Sequence, residues 1–249
     1  MAAAGLFSFL TLVADPVVVA QAPVTVAQID STGLVNRSQG QQVVSKKQLL
    51  IPNKARKAIN QAREDFMHGN LASAQKEIAR ALEIVPDCAL ALTVQGALEL
   101  RMGHLDTAAD SFQEAIDNDP AMAGAYLGLA STLISERRFK EALTPLDRAK
   151  GLLPTSWYVH FQTGLAQLGL GNIEAARKEA ESAEGLTGSD PVGRSGVSYL
   201  HALVSEEMRD LAGTRKYLTE TITRAPHGYY AEQARGWLER LQVDVMSNR

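Results

Sequence analysis

Apolar side chains recur at helical spacing from Lys54 onward, and glycines and prolines fall between the stretches that carry them. Residues three and four apart lie on one face of a helix, so this pattern predicts a series of amphipathic helices. Pro86, Pro120 and Pro154 are equally spaced, and a similar phrase of small, bulky and small residues precedes each. Their period of about 34 residues predicts a stack of helix pairs. The three phrases are Ala74-x3-Ile78-x2-Ala81, Ala108-x3-Phe112-x2-Ala115 and Ala142-x3-Leu146-x2-Ala149.

A fourth copy of the phrase follows, and then a weaker fifth copy. In the fifth copy, Thr214 and Thr221 stand where alanine is usual, which predicts poorer packing. The stretch 185–193 replaces the proline turn after the fourth copy and accounts for four extra residues, so we expect a bend or a looser contact there. The fourth copy comprises Ala176, Ala180 and Ala183.

This set of positions resembles the pattern of the tetratricopeptide repeat family, which has small residues at repeat positions 8, 20 and 27, a bulky residue at 24 and proline at 32. The resemblance covers residues 55–228. It implies an all-α fold, a right-handed α-solenoid of about five helix-turn-helix units with a C-terminal capping helix. The implied repeat domain spans 53–242, with units at about 55–88, 89–122, 123–156, 157–194 and 195–228, a capping helix at 229–242 and a tail at 243–249.

In that family the first helix of each unit lines a concave groove, and repeat positions 2, 5 and 9 point into it. The C-terminal half of the implied groove is aromatic in this chain, and aromatic side chains often dominate protein interfaces. An equally open alternative is that some of these rings only pack against the neighbouring unit. The implied ligand-binding residues are Arg56, Arg63, Leu90, Leu127, Tyr158, Phe161, Leu165, Tyr199, Leu203, Tyr230 and Trp237.

The N-terminal region has a different composition. Residues 6–14 form a short apolar core, and residues 17–22 end in an Ala-x-Ala pattern of the kind that signal peptidase cleaves, which predicts a signal peptide at 1–22. No basic residue precedes the apolar core, so a disordered tail is the alternative. Residues 23–52 are mainly small and polar and predict a flexible linker. An export signal places the protein in the periplasm or outside the cell, whereas without one it is cytoplasmic.

The charge of the chain narrows the choice of partner. The 25 basic residues are outnumbered by 28 acidic ones, so nucleic acid is a poor candidate. No apolar run reaches the about 20 residues that cross a bilayer, and we expect no integral membrane segment in the mature chain. One stretch, 46–63, predicts a weak contact with an anionic surface, or alternatively an end of the array that charge keeps soluble. Its basic residues are Lys46, Lys47, Lys54, Arg56, Lys57 and Arg63, and it contains no acidic one.

The sequence offers little support for catalysis or for a cofactor. Residues 73–76 match the Ser-x-x-Lys pattern of a serine–lysine acylation motif, but the other motifs that accompany it in such enzymes are missing. The five histidines are scattered and Cys88 is the only cysteine, so no metal-ligand spacing is present. We therefore expect no enzyme, no cofactor and no metal. The resemblance implies a scaffold or adaptor that binds a protein or peptide in its groove.

An exported start, a short linker and an alanine-rich array are together similar to those of envelope-associated bacterial repeat proteins. We therefore expect the scaffold to work in the bacterial cell envelope. The alternative is a structural subunit of a multi-protein envelope assembly, whose groove is buried permanently.

Overall fold

The computed structural model describes residues 46–247, with the backbone alone for 243–247. The predicted signal peptide at 1–22 and most of the predicted linker lie outside the described residues. Within them the chain forms twelve α-helices and no strand, which confirms the all-α prediction. The helices are α1 (Lys46–Leu49), α2 (Asn53–Met67), α3 (Leu71–Ile84), α4 (Ala89–Met102), α5 (Leu105–Asn118), α6 (Ala123–Ser135), α7 (Phe139–Leu152), α8 (Trp157–Gly169), α9 (Ile173–Leu186), α10 (Pro191–Glu207), α11 (Leu211–Arg224) and α12 (Tyr229–Ser247).

Consecutive helices pack as pairs, and each pair packs on the next. The pairs are α2 with α3, α4 with α5, α6 with α7, α8 with α9, and α10 with α11, and α12 packs on the last of them. This arrangement confirms the predicted solenoid of five helix pairs with a helix at its C-terminal end. No described helix combines the length and the apolar composition that a membrane crossing requires.

The turn inside each pair requires a residue in the left-handed backbone region. Glycine adopts this conformation readily because it has no Cβ, and Gly103, with a φ of 82°, ends α4 in this way. In the third and fifth pairs the same place is taken by Arg137 and Arg209, each with a φ of 60°. The turn geometry is therefore kept even where the sequence lacks glycine, at some cost in backbone energy.

The repeated small residues allow a bulky ring to sit between helices. Phe112 of α5 is fully buried, and a Cβ built on Gly96 of α4 would lie 2.9 Å from its ring. A Cβ on Gly128 of α6 would overlap the same ring. The ring is therefore held between the backbones of two neighbouring first helices, which is the physical reason for small residues at these positions.

The four extra residues do not form a loose connection. Helix α10 has 17 residues and begins at Pro191, so the boundary predicted at 194/195 falls inside this helix. Asp190 caps it by accepting a hydrogen bond from the backbone N–H of Val192 at 3.0 Å. A Cβ on Gly193 would lie 2.8 Å from the indole Nε1 of Trp157, so this segment is tightly packed. The predicted looser contact is wrong because four residues add about one helical turn and preserve the buried face.

Both ends of the predicted repeat domain also differ from expectation. The short helix α1 lies within the stretch predicted as a flexible linker, and Ile51 after it packs against the core. At the other end, α12 continues through Ser247, five residues into the predicted tail. The rest of that tail, 248–249, lies outside the described residues.

Candidate partner-binding face

The first helices of successive pairs form one continuous layer. Among the described residues, α2 contacts α4, α4 contacts α6, and the series continues through α8 and α10 to α12. The second helix of each pair contacts mainly the first helix of its own pair and the first helix of the next pair. In a curved array, the layer whose helices lie closer together is on the inside. We therefore call the surface of this layer the inner face; it is formed by α2, α4, α6, α8, α10 and α12.

All eleven residues predicted to bind a partner lie on these six helices, but few of them are accessible. The nine apolar ones, Leu90, Leu127, Tyr158, Phe161, Leu165, Tyr199, Leu203, Tyr230 and Trp237, are each at most 5% exposed. A partner cannot rest on these side chains as the structure stands. Burial favours the alternative interpretation, in which the rings pack against neighbouring units, and the binding role of these residues stays a prediction.

Six rings from three helices form one cluster on the inner face, which we call the ring cluster. On α8, Trp157 and Tyr158 meet edge to face with centroids 5.5 Å apart, and Tyr158 stacks on Phe161 at 5.9 Å. Tyr199 of α10 lies 5.9 Å from Trp237 of α12. Such pairs add about 0.5–1.5 kcal/mol each beyond the area they bury. The cluster comprises Trp157, Tyr158, Phe161, Tyr199, Tyr230 and Trp237.

Tyr230 joins helices that are not adjacent in the array. Its ring lies 5.6 Å from Phe161 of α8 and 5.8 Å from Tyr199 of α10. It reaches across α10 because that helix has Gly196 below the ring, where a Cβ would lie 2.9 Å from Tyr230. The last helix is thus tied to the fourth pair as well as to the fifth.

A buried polar group adjoins the ring cluster. The amide nitrogen Nε2 of Gln162 donates hydrogen bonds to the Tyr158 hydroxyl at 2.7 Å and to Ser131 Oγ on α6. Ser131 in turn donates to the carbonyl of Leu127 at 3.0 Å. Burial raises the pKa of Tyr158 to about 12, although the hydrogen bonds to Ser131 and Gln162 act in the opposite direction, so the hydroxyl stays protonated at neutral pH.

Gln162 has one polar atom without a partner. Its side chain is 2% exposed, and the amide oxygen Oε1 accepts no hydrogen bond. A buried acceptor in this state is unusual, because leaving one unsatisfied costs about 1–3 kcal/mol. Gln162 is not among the residues that the repeat pattern predicts. Its position one helical turn after Tyr158, on the same stripe of α8, was the available signal.

The two arginines predicted to bind a partner are not buried as the nine apolar residues are. Arg56 is exposed, and its guanidinium donates to the backbone carbonyls of Gln48, Leu49 and Ile51 at 3.3–3.4 Å. It therefore holds the end of α1 and does not line a groove. Arg63 lies further along α2 and is half-buried.

Two histidines that sequence analysis left without a role are buried between helix pairs. His160 is 9% exposed, and its Nδ1 lies 2.6 Å from Glu179 of α9, which also lies 3.4 Å from Lys150 of α7. Burial by itself raises the pKa of Glu179, but the hydrogen bond to His160 and the charge of Lys150 outweigh it and hold this pKa below its ordinary value. Glu179 thus links three consecutive helices through its contacts with His160 and Lys150.

His201 occupies a comparable place between the fourth and fifth pairs. Its ring stacks on Tyr217 with centroids 4.9 Å apart, and its Nε2 lies 3.5 Å from Glu184, too far for a good hydrogen bond. Burial lowers the pKa of His201 below 6.5, with Arg224 acting in the same direction, although the charges of Glu184 and Glu181 oppose it. The folded protein therefore favours the neutral imidazole.

We expect this histidine to make stability depend on pH. Because the unfolded chain binds a proton on His201 at a higher pH than the folded chain does, the free energy of unfolding falls as pH decreases below about 6.5. In His201→Phe, which keeps an aromatic ring on Tyr217, the fall between pH 7.5 and pH 5.5 should be smaller. Urea unfolding of both proteins at the two pH values measures this, and an equal fall in both would contradict the assignment.

Among the described residues, no three His, Cys, Asp or Glu side chains are grouped as ligands of a metal ion would be. The ring cluster and the polar side chains beside it, Gln162 and Ser131, are instead apolar, hydroxyl and amide groups that pack and form hydrogen bonds. Recognition of a polypeptide uses these same interactions.

Comparison with known proteins agrees with the architecture. Residues 93–156 match the family model described as tetratricopeptide repeat. No curated protein sequence matches the chain. Several solved structures are similar to it. One is TTC0263, a thermophilic repeat protein of Thermus thermophilus, with a TM-score of 0.64 and 20% identity over 74% of this chain and 98% of that one.

Two other solved structures are informative. PilW, described as a type IV pilus biogenesis factor, has a TM-score of 0.64 and 17% identity over 78% of this chain and 94% of that one. YrrB, described as having an unusual peptide-binding site, has a TM-score of 0.50 and 20% identity over 72% of this chain and 90% of that one. At these identities the likeness shows the fold alone.

Proposed function

Because this chain is a tetratricopeptide repeat protein, we propose that it is a non-enzymatic scaffold that holds a protein or peptide against its inner face. The observation that carries this proposal is the unpaired amide oxygen of Gln162 beside the ring cluster. A backbone N–H of a bound peptide is a donor of the kind that this oxygen lacks. The Tyr158 and Ser131 hydroxyls occupy the amide nitrogen and so fix the direction of the oxygen.

The low exposure of Gln162 shapes how a partner binds. At 2% exposure the side chain is reached only when neighbouring inner-face helices separate locally. We therefore expect association to be slower than the roughly 10⁵–10⁷ M⁻¹s⁻¹ typical of two rigid surfaces. The rings that surround the amide would then contribute apolar contact area to the complex.

Gln162→Met tests the proposal, because methionine keeps the length of the side chain and removes the amide. We expect the partner to bind at least tenfold more weakly, as the loss of one buried hydrogen bond of about 1.5 kcal/mol requires. The measurement is quantitative cross-linking and recovery from envelope extracts, followed by titration with the purified partner. Alanine variants of the ring cluster are unsuitable, since buried rings are needed for folding.

Gln167→Met is the matched control on the same helix. The amide oxygen of Gln167 already accepts a hydrogen bond from Asn172 at 2.9 Å, so, unlike that of Gln162, it is satisfied within the chain. This variant should recover the partner as the unchanged protein does. Equal recovery of the partner by Gln162→Met and Gln167→Met would show that the Gln162 amide does not contribute to binding.

We further propose that the scaffold works in the bacterial cell envelope, in the periplasm. The sequence features at 1–22 support this, namely the short apolar core and the Ala-x-Ala pattern. Mass spectrometry of the protein isolated from its native cells tests the location. A mature N-terminus at or near Pro23 is expected, whereas an intact Met1 in the cytoplasmic fraction would contradict it.

A structural subunit is the second candidate, and one observation favours it. Met208, directly after α10, and Leu211, the first residue of α11, are 56% and 55% exposed and lie three residues apart. Exposed apolar side chains in proximity are typical of surfaces that another protein covers. Size-exclusion chromatography with light scattering separates the two candidates: a monodisperse monomer favours a scaffold that binds reversibly, and obligate association favours a subunit.

A further inference from the structure

The most exposed large apolar side chains of the described residues are neighbours at the N-terminal end of the array. Leu49 is 66% exposed and Leu50 is 79% exposed, at the end of α1. Most apolar side chains of this size elsewhere in the described chain are buried or half-buried. Two adjacent leucines in water are unfavourable, at about 25 cal/mol for each Å² of apolar surface.

These leucines are held in place by contacts on both sides. The ammonium group of Lys47 donates a hydrogen bond to the carbonyl of Asn118 at 2.7 Å, across to the end of α5. Arg56 binds three carbonyls of the segment, and Ile51 packs into the core. Leu49 and Leu50 are therefore presented by an anchored segment.

The charge around the leucines is positive and has no acidic counterpart within the stretch. The acceptors that Lys47 and Arg56 bind are backbone carbonyls, which carry no net charge. Lys54 and Lys57 are exposed and three residues apart, which places them on one face of α2. No acidic residue occurs between 46 and 63.

Two carboxylates lie on the array side of the segment. Asp87 and Asp119 line a cavity of about 210 Å³ together with Lys47 and Leu50. Asp119 is 5% exposed, and its carboxylate accepts a hydrogen bond from the N–H of Ala121 at 3.1 Å. This hydrogen bond orders the turn before α6, whereas Asp87 is exposed and its negative charge opposes that of Lys47 at this edge of the surface.

We infer that Leu49 and Leu50, with Lys47, Lys54, Arg56 and Lys57, form a docking surface for an anionic lipid bilayer. The two leucines enter the region between headgroups and acyl chains, and the cations lie at the level of the lipid phosphates. Lipid suits this surface because one bilayer supplies both the negative charge and the apolar phase that covers the leucines.

Vesicle co-sedimentation of the full chain tests this inference. The probes are vesicles of phosphatidylcholine alone and of phosphatidylcholine in which about a third of the lipid is replaced by phosphatidylglycerol. We expect binding to the anionic vesicles to be at least tenfold tighter at about 50 mM NaCl, and most of the difference to be lost at about 300 mM. Equal binding to both kinds of vesicle, or no binding to either, would overturn the inference.

Two double variants locate the surface, and a third is the matched control. Leu49→Ser with Leu50→Ser, and separately Lys54→Gln with Lys57→Gln, should each weaken binding to anionic vesicles about tenfold. Met208→Ser with Leu211→Ser removes apolar side chains that are also more than half exposed but lie near Glu206, Glu207 and Asp210, and it should leave binding unchanged.

All the variants retain residues 1–45, so differences between them report on the docking surface alone. The substituted residues are exposed, and circular dichroism should show the fold intact. If polyglutamate binds the chain in a Leu49- and Leu50-dependent manner while anionic vesicles do not, the surface belongs to an acidic protein and the lipid assignment is overturned.

Discussion

Gly128→Ala is expected to lower the free energy of unfolding by about 2 kcal/mol, although alanine is the better helix former. The added methyl group would overlap the ring of Phe112. The ring cannot retreat toward α4, because Gly96 already lies in close contact with it there. Urea unfolding followed by circular dichroism measures the change, and hydrogen exchange should show the loss of protection centred on α4, α5 and α6.

Two comparisons make this result specific to the ring. Gly151 lies in α7, and a Cβ added to it would meet nothing within 4 Å, so Gly151→Ala should raise stability by about 0.5–1 kcal/mol. In a Phe112→Ala background, where the ring is gone, Gly128→Ala should become stabilising. Persistence of the same loss in that background would show that the methyl group meets something other than Phe112.

Tyr230→Ala is expected to have the larger effect, a loss of about 3–4 kcal/mol. Tyr230 is 5% exposed, and its ring contacts both Phe161 and Tyr199. Because its removal takes away the contact of α12 with α8 and one of its contacts with α10, amide protection should disappear first in α12 and then in α10. Thermal unfolding and hydrogen exchange measured together test the amount and the location.

Tyr229→Ala is the control for this variant. Tyr229 precedes Tyr230 at the start of the same helix, but it is half-buried. We expect it to cost clearly less than Tyr230→Ala and to leave α10 protected. Equal losses from the two variants would mean that the first turn of α12, and not the ring of Tyr230, holds the end of the array.

The sequence predicts the array of helix pairs because its signal is repeated. One glycine or alanine carries little information, but equally spaced prolines in phase with small residues are explained by a stack of similar units. Arg137 adopts the same left-handed conformation as Gly103, so the turn geometry repeats even where the residue type does not.

The inner face is harder to predict, since its properties arise between units. Repeat spacing places Tyr158 and Tyr199 on this face, but it does not say whether a ring faces water or another ring. That depends on Gly196, which lets Tyr230 cross α10. Whether the amide oxygen of Gln162 is paired likewise depends on which side chains lie near its amide nitrogen. The sequence alone does not give the distances between these side chains.

The extra turn of α10 shows a further limit. An insertion of four residues keeps the same helical face buried, so a longer helix and a longer loop give nearly the same hydrophobic pattern. Glycines at 185, 188 and 193 favour the loop. Tertiary packing against Trp157 favours the helix, because the glycine at 193 lets the helix backbone approach the indole ring closely.

The bridge from Tyr230 to Phe161 also fixes how many modules the protein has. Repeat arrays are commonly lengthened or shortened by duplication or deletion of a module, because each one normally meets only its neighbours. Here a duplicate of the fifth pair inserted before α12 would move Tyr230 away from Phe161 and leave both aromatic surfaces uncovered. The C-terminal end is therefore closed to growth by duplication of the last module.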